Sequence, residues 1–238
     1  MGPTYPNRLD LHAAFTDRIV NTPTPPSKLP TIWDRLAERG VSGRNYCSTF
    51  PTVFLWGAKY ASIAFPFQRF LEDCKKGRLP HVSFVDPQFS AANEGTATDD
   101  HPHADIRASE SFLARVYRAV TTSPSWPRTV LVINFDEWGG FFDHVPPPVA
   151  PDVNRAYTLR GFRVPCLVIS RFARRRHVAH GIYDHTSILR MIEWRWKLPP
   201  LSVRDARANN LARVLDFKHR NLTAPRIRTG VVVGKSCP

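Results

Sequence analysis

The segment that most constrains the fold is RTVLVINFDEWGG, residues 128–140. Its central run, TVLVINF, is rich in β-branched and apolar side chains and breaks into two acids and a glycine pair. A short continuous apolar run of this kind is typical of a strand buried on both faces, as in parallel sheets. In open α/β sheets the ligand binds at the carboxyl ends of such strands. The run therefore predicts an α/β fold with its chemistry close to the acids.

Strands and helices alternate along the rest of the chain. Short apolar runs predict further strands, and apolar residues at helical spacing predict helices. These segments are 81–87 and 162–170 for the strands, and 31–40, 106–121 and 185–198 for the helices. Thr31 is the expected N-cap of the first helix, and Thr186 or Ser187 that of the last. We therefore expect an α/β protein with a mostly parallel sheet flanked by helices.

Proline content and one long loop limit the architecture further. Twenty-two prolines among 238 residues argue against long uninterrupted helical bundles, because proline breaks helix interiors. Residues 88–105 are polar and show no periodicity, so they are predicted to form a long loop. Long loops inside compact domains are more often functional than idle.

Asp136 and Glu137 are candidate metal ligands. Two adjacent carboxylates at the end of a buried strand are costly unless a positive charge accompanies them. Clustered carboxylate oxygens are the ligands that hard divalent cations prefer. A solvated turn or a helix N-cap is the alternative interpretation of the same pair.

Several histidines stand beside aspartates on separate polar loops. Paired acids and imidazoles are used to orient a histidine for metal binding or proton transfer. The pattern predicts metal-assisted transfer or hydrolysis at an anionic centre, although any single pair could be structural. The histidines concerned are His101, His103, His144, His185 and, more loosely, His180.

The positive charge is confined to one end of the chain. The net charge is +13, and residues 151–238 hold 18 basic and 5 acidic side chains, so the whole surplus lies there. A basic face could attract a phospholipid surface, nucleic acid or a phosphorylated substrate. A solvated arginine-rich surface is the alternative, and no nucleic-acid-binding signature accompanies the charge.

The N-terminal sequence MGPTYPNRLDLH contains a candidate nucleophile, and its composition does not predict a leader. It lacks a basic region followed by an apolar stretch, so no export signal is predicted, and no run of about 18 apolar residues predicts a membrane span. No GxSxG nucleophile elbow is present. Thr4 stands out among the hydroxyls because Gly2, Pro3 and Pro6 favour a tight turn around it, although a threonine in a disordered N-terminal tip is the alternative interpretation.

Long ordered blocks of the sequence closely resemble the bacterial phosphoesterase family. They include GPTYPNRL, LPHVSFVDP, DDHPHADI, INFDEWGGFFDHVPPP and FRVPCLVISRFARRRHVAHGIYDHTSILRMIEWRW. The resemblance covers about residues 2–217 and implies a phosphoesterase domain over 1–217 with a basic tail at 218–238. The family contains phospholipases C that act on phosphatidylcholine, and related acid phosphatases, on an alkaline-phosphatase-like α/β core. The implied substrates are phospholipids or phosphomonoesters.

The resemblance also implies roles for individual residues. Thr4 falls at the family's nucleophile, Asp136 and Glu137 at its pair of metal-ligating acids, and His101 at a histidine that stabilises or protonates the leaving side. The implied mechanism is two-step phosphoryl transfer through a phosphothreonine, assisted by a divalent metal ion. Four further residues fall in shared motifs without an assigned role: Asp143, His144, Asp184 and His185.

The resemblance further implies a segment upstream of Thr4. In the family an N-terminal strand segment with a Glu-Asn pair completes the metal site, and an export signal precedes it. We expect this chain to lack that segment, and we expect its site to be impaired by the truncation. The alternative function is a non-catalytic or remnant domain that binds anionic lipid or nucleic acid through its basic C-terminal face.

Overall fold

The computed structural model describes residues 2–89, 96–102, 104–221 and 223–227. Helices and strands alternate within it, so the predicted α/β class is confirmed. The helices are α1 (Thr4–Ala13), α2 (Ile32–Glu38), α3 (Phe67–Lys75), α4 (Ile106–Thr121), α5 (His185–Trp196) and α6 (Val203–Arg207). The strands are β1 (Gly43–Cys47), β2 (Ala64–Pro66), β3 (Val82–Asp86), β4 (Val130–Asn134) and β5 (Cys166–Ser170). None of the described helices is long and apolar enough to cross a membrane.

The strands form two separate sheets. One contains three parallel strands in the order β2-β1-β3, with Cys47 level with Asp86. The other pairs β4 with β5 in antiparallel register, Val130 opposite Ser170 and Asn134 opposite Cys166. Parallel pairing therefore holds for the first sheet only, and the prediction of one mostly parallel sheet is wrong for the run at 128–140. The connection from β4 to β5 contains one short 3₁₀ turn, Arg155–Tyr157, and lacks the helical crossover that usually joins parallel strands.

The second sheet is also more open than the sequence suggests. Every residue of β4 is half-buried, and Leu167 on β5 is 56% exposed. The prediction that this run is buried on both faces is therefore wrong in the described part of the chain. An apolar composition reports what a strand can bury, whereas its exposure depends on the elements that cover it.

Two apolar clusters hold the helices against the three-stranded sheet. In the first, Leu9 of α1 packs with Trp33 and Leu36 of α2 and with Leu189 of α5. In the second, aromatic side chains of α3 and α4 pack around Tyr46 of β1. The first cluster fixes the apolar face of α1, which leaves the opposite face of that helix to carry polar side chains.

The N-cap predicted from the sequence is confirmed for α2 but not for α5. Thr31 caps α2 as predicted, through a capping box with Asp34. The cap of α5 is Asp184, which accepts a hydrogen bond from the backbone of Thr186, so the prediction of Thr186 or Ser187 is wrong. An aspartate caps a helix at least as well as a hydroxyl does, and Ser187 completes the box from inside the helix.

The N-terminal segment is a helix rather than a turn. Thr4 lies in the first turn of α1, with Pro3 at its N-cap. Prolines at the start of a helix are tolerated because the amides they lack would have no intrahelical acceptor there. Residues 218–221 and 223–227 contain no helix or strand, and the proposed domain boundary at 217 stays a prediction.

A buried charge network connects α1 to α5 and α6. Arg204 of α6 is fully buried and pairs with Asp152 at 3.1 Å and with Asp184 at 3.5 Å. Asp10 of α1 is also fully buried, and neither of its carboxyl oxygens has a hydrogen-bond partner within the described residues. Burial raises the pKa of Asp10 to about 8, although the charge of Arg204 opposes the shift.

We predict that Asp10→Asn makes the stability of the protein less sensitive to a rise in pH up to about pH 8. The folded protein retains the Asp10 proton up to about pH 8, whereas the unfolded chain releases it near pH 4. The free energy of unfolding therefore falls as pH rises between these values, by at most about 1.4 kcal/mol per pH unit. Arg204, Asp152, Asp184 and the chain's N-terminus are unchanged in the variant, so the difference reports Asp10 alone. Thermal unfolding followed by circular dichroism from pH 5 to pH 9 measures it, and parallel curves would contradict the assignment.

Candidate functional site

The N-terminus of α1 meets the turn that follows β4. Thr4 donates a hydrogen bond from its Oγ1 to Oε1 of Glu137 over 3.1 Å, although 133 positions separate the two residues. The hydroxyl and the carboxylate are both partly buried. The structure therefore brings together two residues that the sequence analysis singled out for different reasons, Thr4 from the resemblance and Glu137 from its place at a strand end.

Arg8 lies one helical turn beyond Thr4 and contacts two carboxylates. Its Nη1 is 2.8 Å from Oδ1 of Asp86, at the end of β3, and its Nε is 3.3 Å from Oδ2 of Asp136, just after β4. Burial alone would lower the pKa of Arg8, but the charges of Asp136 and Asp86 outweigh it, so the guanidinium stays protonated. Residues four apart in a helix share a face, which places Arg8 beside Thr4.

His185, the first residue of α5, contacts the main chain of Asp136. Its Nε2 lies 3.0 Å from the Asp136 carbonyl oxygen, which can only accept, so Nε2 carries the hydrogen. Burial lowers the pKa of His185, against the opposing charges of Asp136 and Asp184. The imidazole is therefore neutral at pH 7 and holds the backbone of the acidic pair.

His101 belongs to a loop that lies beside the same acids. Its backbone amide donates to Oδ1 of Asp99, and its charge acts on the pKa of both Asp99 and Glu137. The ring of Pro102, the next residue, lies 3.4 Å from the position that a β-carbon on Gly139 would occupy. The loop before α4 and the turn after β4 are thus in contact, and His101 is exposed at their junction.

Glu137 has an unusual electrostatic environment. Burial and the neighbouring charge of Asp136 raise its pKa, while the hydrogen bond from Thr4 and the charges of His101 and Arg8 oppose the rise. A carboxylate in this setting is a ready acceptor for a hydroxyl proton, because part of its negative charge is uncompensated.

Other predicted residues lie outside this cluster. The His144 side chain is 81% exposed, and Asp143 forms a two-point ion pair with Arg163. Asp184 caps α5 and pairs with Arg160 at 2.8 Å, which gives it a structural environment one residue away from His185. His180 is exposed, and His103 lies outside the described residues.

Asp136 and Glu137 fit a hard divalent cation in the kind of atoms that they offer. Oδ2 of Asp136 is buried without a hydrogen-bond partner, and Glu137 adds a second carboxylate beside the Thr4 hydroxyl. Within the described residues no group of three or more histidines, cysteines or acids is arranged to hold a metal ion. One or two carboxylates are nevertheless the usual protein contribution where Mg²⁺ also binds substrate phosphates.

An aromatic surface adjoins the acidic pair. Phe141 is 70% exposed and Phe142 is 90% exposed, and together with Trp138 they line an open cavity of about 370 Å³. Gly139 and Gly140 both adopt left-handed backbone conformations, with φ of 67° and 80°, which turn the chain from the acids to the two phenylalanines. Side chains with a β-carbon rarely adopt these angles.

Comparison with known proteins identifies the family. The sequence model of the Phosphoesterase family matches residues 1–199. The chain belongs to the phosphoesterase family. This match confirms that the sequence blocks are those of a phosphoesterase.

Curated relatives within this similarity are named phospholipases C. Non-specific phospholipase C5 of Arabidopsis thaliana is 31% identical over 245 residues, covering 90% of this chain and 47% of the relative. Phospholipase C B of Mycobacterium tuberculosis is 32% identical over 187 residues, covering 66% of this chain and 34% of the relative. The chain thus spans less than half the length of these phosphoesterase relatives.

Sequence reasoning did not find Arg8 and Asp86. Both lie in segments that it did single out: Arg8 ends the motif GPTYPNR, and Asp86 precedes the proline that closes the strand at 81–87. Only their positions in the sequence could have pointed to the site. Arg8 follows Thr4 by four residues, and Asp86 stands at the end of a strand, much as Asp136 stands just after one. Nothing in the spacing shows that they pair across 78 positions.

We predict that His185 stays neutral at pH values where an unfolded histidine is protonated. Burial lowers its pKa, and the Asp136 carbonyl selects the tautomer with hydrogen on Nε2. Long-range ¹⁵N–¹H NMR spectra of the imidazoles, recorded from pH 5 to pH 8, measure both properties. The urea-unfolded chain is the control. A His185 that titrates together with that control, or carries hydrogen on Nδ1 alone, would contradict the geometry.

Proposed function

We propose that this chain carries the catalytic half of a phosphoric ester hydrolase of phospholipase C type. The observation that supports the proposal best is the hydrogen bond from Thr4 to Glu137 beside Asp136 and Arg8. It joins a hydroxyl nucleophile, a proton acceptor and opposite charges in one partly buried place. We also propose an alkaline-phosphatase-like architecture for the domain, because its sequence blocks resemble those of the phosphoesterase family.

In the proposed first step the Thr4 oxygen attacks phosphorus. Glu137 accepts the hydroxyl proton, the new bond forms between Thr4 Oγ1 and phosphorus, and the bond from phosphorus to the alcohol oxygen breaks. His101, exposed on its loop beside the acids, gives a proton to the departing alcohol. Water then attacks phosphorus and gives its proton to His101, the bond between phosphorus and Thr4 Oγ1 breaks, and Glu137 returns its proton to that oxygen as the phosphomonoester leaves.

Asp136 and Glu137 are the residues that would hold a divalent metal ion, Glu137 through the carboxylate oxygen that does not accept from Thr4. Such an ion supplies positive charge at the phosphoryl oxygens as negative charge develops there. Carboxylate ligands admit Mg²⁺, Ca²⁺, Mn²⁺ or Zn²⁺, so the residues do not select one of them. His185 would hold the main chain of Asp136, and Arg8 its side chain, whether or not a metal ion is bound. The acidic pair would therefore stay in place in both cases.

The proposed substrate is a phospholipid or a related phosphoester presented at a membrane surface. Phe141 and Phe142 project beside the acids, and aromatic side chains favour the interface between water and lipid. The basic surplus in residues 151–238 would add attraction to anionic lipid. Peripheral contact of this kind would bring the lipid phosphate to Thr4.

We predict that Thr4→Ala abolishes hydrolysis of p-nitrophenylphosphocholine in the presence of added divalent metal. Loss of a nucleophile removes the covalent path, so the rate should fall by at least about a thousandfold. Thr4→Ser keeps the hydroxyl and is the matched control, and a chelator should lower the wild-type rate.

A Thr4→Ala variant that keeps the wild-type rate would overturn the proposed function, as would the absence of turnover in a chain extended by the upstream segment that the resemblance implies. Salt-dependent binding to lipid vesicles or nucleic acid that survives Asp136→Ala and Glu137→Ala, without any hydrolysis, would favour the non-catalytic alternative.

We predict that replacing both Phe141 and Phe142 by serine separates surface contact from chemistry. Binding to phosphatidylcholine vesicles should weaken about tenfold or more, because two exposed aromatic rings no longer enter the interface. Turnover of the water-soluble substrate should stay within about twofold of wild type. Vesicle co-sedimentation and the chromogenic assay measure the two quantities. Val178→Ser, which removes an exposed side chain that is 72% accessible elsewhere in the chain, is the matched control.

A further inference from the structure

Arg8 occupies the joint between the two sheets. It belongs to α1, yet its guanidinium contacts an aspartate at the end of β3 in the parallel sheet and an aspartate just after β4 in the antiparallel sheet. The two sheets share no strand pairing in the described part of the chain. Arg8 thus links α1, which carries Thr4, to the end of β3 and to the turn after β4, which carries Glu137. The relative placement of α1 and that turn determines the distance between Thr4 and Glu137.

The Asp86 side of this contact is rigid. Asp86 is buried, and its Oδ2 accepts hydrogen bonds from Asn45 Nδ2 at 2.8 Å and Thr52 Oγ1 at 2.9 Å, while Oδ1 takes Arg8. A buried carboxylate with three donors has a fixed position. Arg8 is therefore held against a stationary partner on the edge of the parallel sheet.

The Asp136 side is held by charge and by the main chain. Arg8 Nε and Asp136 Oδ2 are 3.3 Å apart but do not form a well-directed hydrogen bond, since both atoms lack a hydrogen-bond partner. The Asp136 carbonyl is held separately by His185. The residue before Glu137 is thus restrained at its side chain by Arg8 and at its backbone by α5.

The start of α1 is held by hydrogen bonds to nearby residues of the chain. Pro3 at the N-cap makes no side-chain capping hydrogen bond, but the Tyr5 amide donates to Oδ1 of Asn21 at 2.8 Å, and Asn7 Nδ2 donates to the Gly2 carbonyl oxygen at 2.6 Å. Neither contact reaches the acids after β4, whereas Arg8, on the same face of α1 as Thr4, contacts Asp136 directly.

We propose that Arg8 is the positioning residue that sets the approach of the Thr4 hydroxyl to Glu137. The expected effect of Arg8 on kcat rests on the proposed function. The expected effect of Arg8 on the distance between Thr4 and Glu137 rests on the geometry alone. A planar guanidinium spreads five N–H donors over a rigid fork that reaches two separated carboxylates, whereas an ammonium group is a compact point charge with three donors on one atom. Arginine is thus the side chain that can join α1 to both strand ends.

The kinetic test compares Arg8→Ala and Arg8→Lys with Arg44→Ala. Arg44 pairs with the buried Asp73 near the opposite end of the same parallel sheet, so its loss also removes one cation from a buried carboxylate but at a distance from Thr4. We expect kcat for p-nitrophenylphosphocholine to fall about a hundredfold in Arg8→Ala with KM within about twofold, as for a small misplacement of reacting groups. Arg8→Lys should be intermediate, and Arg44→Ala should keep the wild-type kcat.

Chemical rescue distinguishes positioning from a general loss of stability. Added guanidinium ion, at concentrations too low to denature, should restore part of the kcat of Arg8→Ala by binding between Asp86 and Asp136. It should leave Arg44→Ala and wild type unchanged. Equal kcat values for Arg8→Ala and Arg44→Ala at matched melting temperatures would overturn the proposal, as would the absence of rescue.

A structural readout keeps this test separate from that of the proposed function. In a crystal structure of Arg8→Ala, Thr4 Oγ1 and Glu137 should lie beyond hydrogen-bond distance. In a crystal structure of Arg8→Lys, the two groups should lie closer together than in Arg8→Ala. If a chain extended by the implied upstream segment also hydrolyses nothing, the proposed function fails, and the same structures still decide the placement by Arg8. An unchanged separation near 3 Å in Arg8→Ala overturns the proposal. If Arg8→Ala does not fold, Arg8→Lys decides in the same way.

Discussion

The ion pair between Arg8 and Asp86 is the interaction on which the arrangement of the site depends. Burying an ion pair costs desolvation energy, which is recovered only where hydrogen bonds satisfy both partners. Asn45 supplies one of those hydrogen bonds to Asp86 from β1, and Thr52 supplies another from the start of the 3₁₀ segment Thr52–Ile63. The position of α1 is therefore determined by polar contacts on one face and by apolar packing of Leu9 on the other. The elements that carry Thr4 and Glu137 meet because both contacts are made together.

Local patterns predicted the individual elements well. The helix at 106–121, the cap at Thr31 and the strand within 81–87 depend on residues close together in sequence, and the structure confirms them. The helix at Thr4–Ala13 was missed because its prolines resemble turn residues, although the first turn of a helix accepts them. Antiparallel pairing of β4 with β5 was also missed, because strand direction depends on the connection and not on the apolar run itself.

The site was predictable only in part for the same reason. Two acids after an apolar run are visible in the sequence, and they lie where strand ends place functional groups. Thr4 was singled out through a resemblance, since a hydroxyl near a chain start carries no signal of its own. Arg8 and Asp86 could not be paired, because a basic residue on a helix usually indicates a solvated face. Whether a histidine beside an aspartate is buried, like His185, or exposed, like His144, depends on tertiary packing.

Two helices are shared between the site and the buried charge network, and this sharing constrains how the protein can change. On α1, Thr4 and Arg8 face the acids while Asp10 faces Arg204; on α5, Asp184 pairs with Arg204 while His185 holds Asp136. A substitution that moves either helix to relieve the interior carboxylate would shift a reacting group as well. Adaptation of this chain to higher pH and refinement of its catalytic geometry are consequently not independent. A variant that improves one of these two properties is expected to weaken the other.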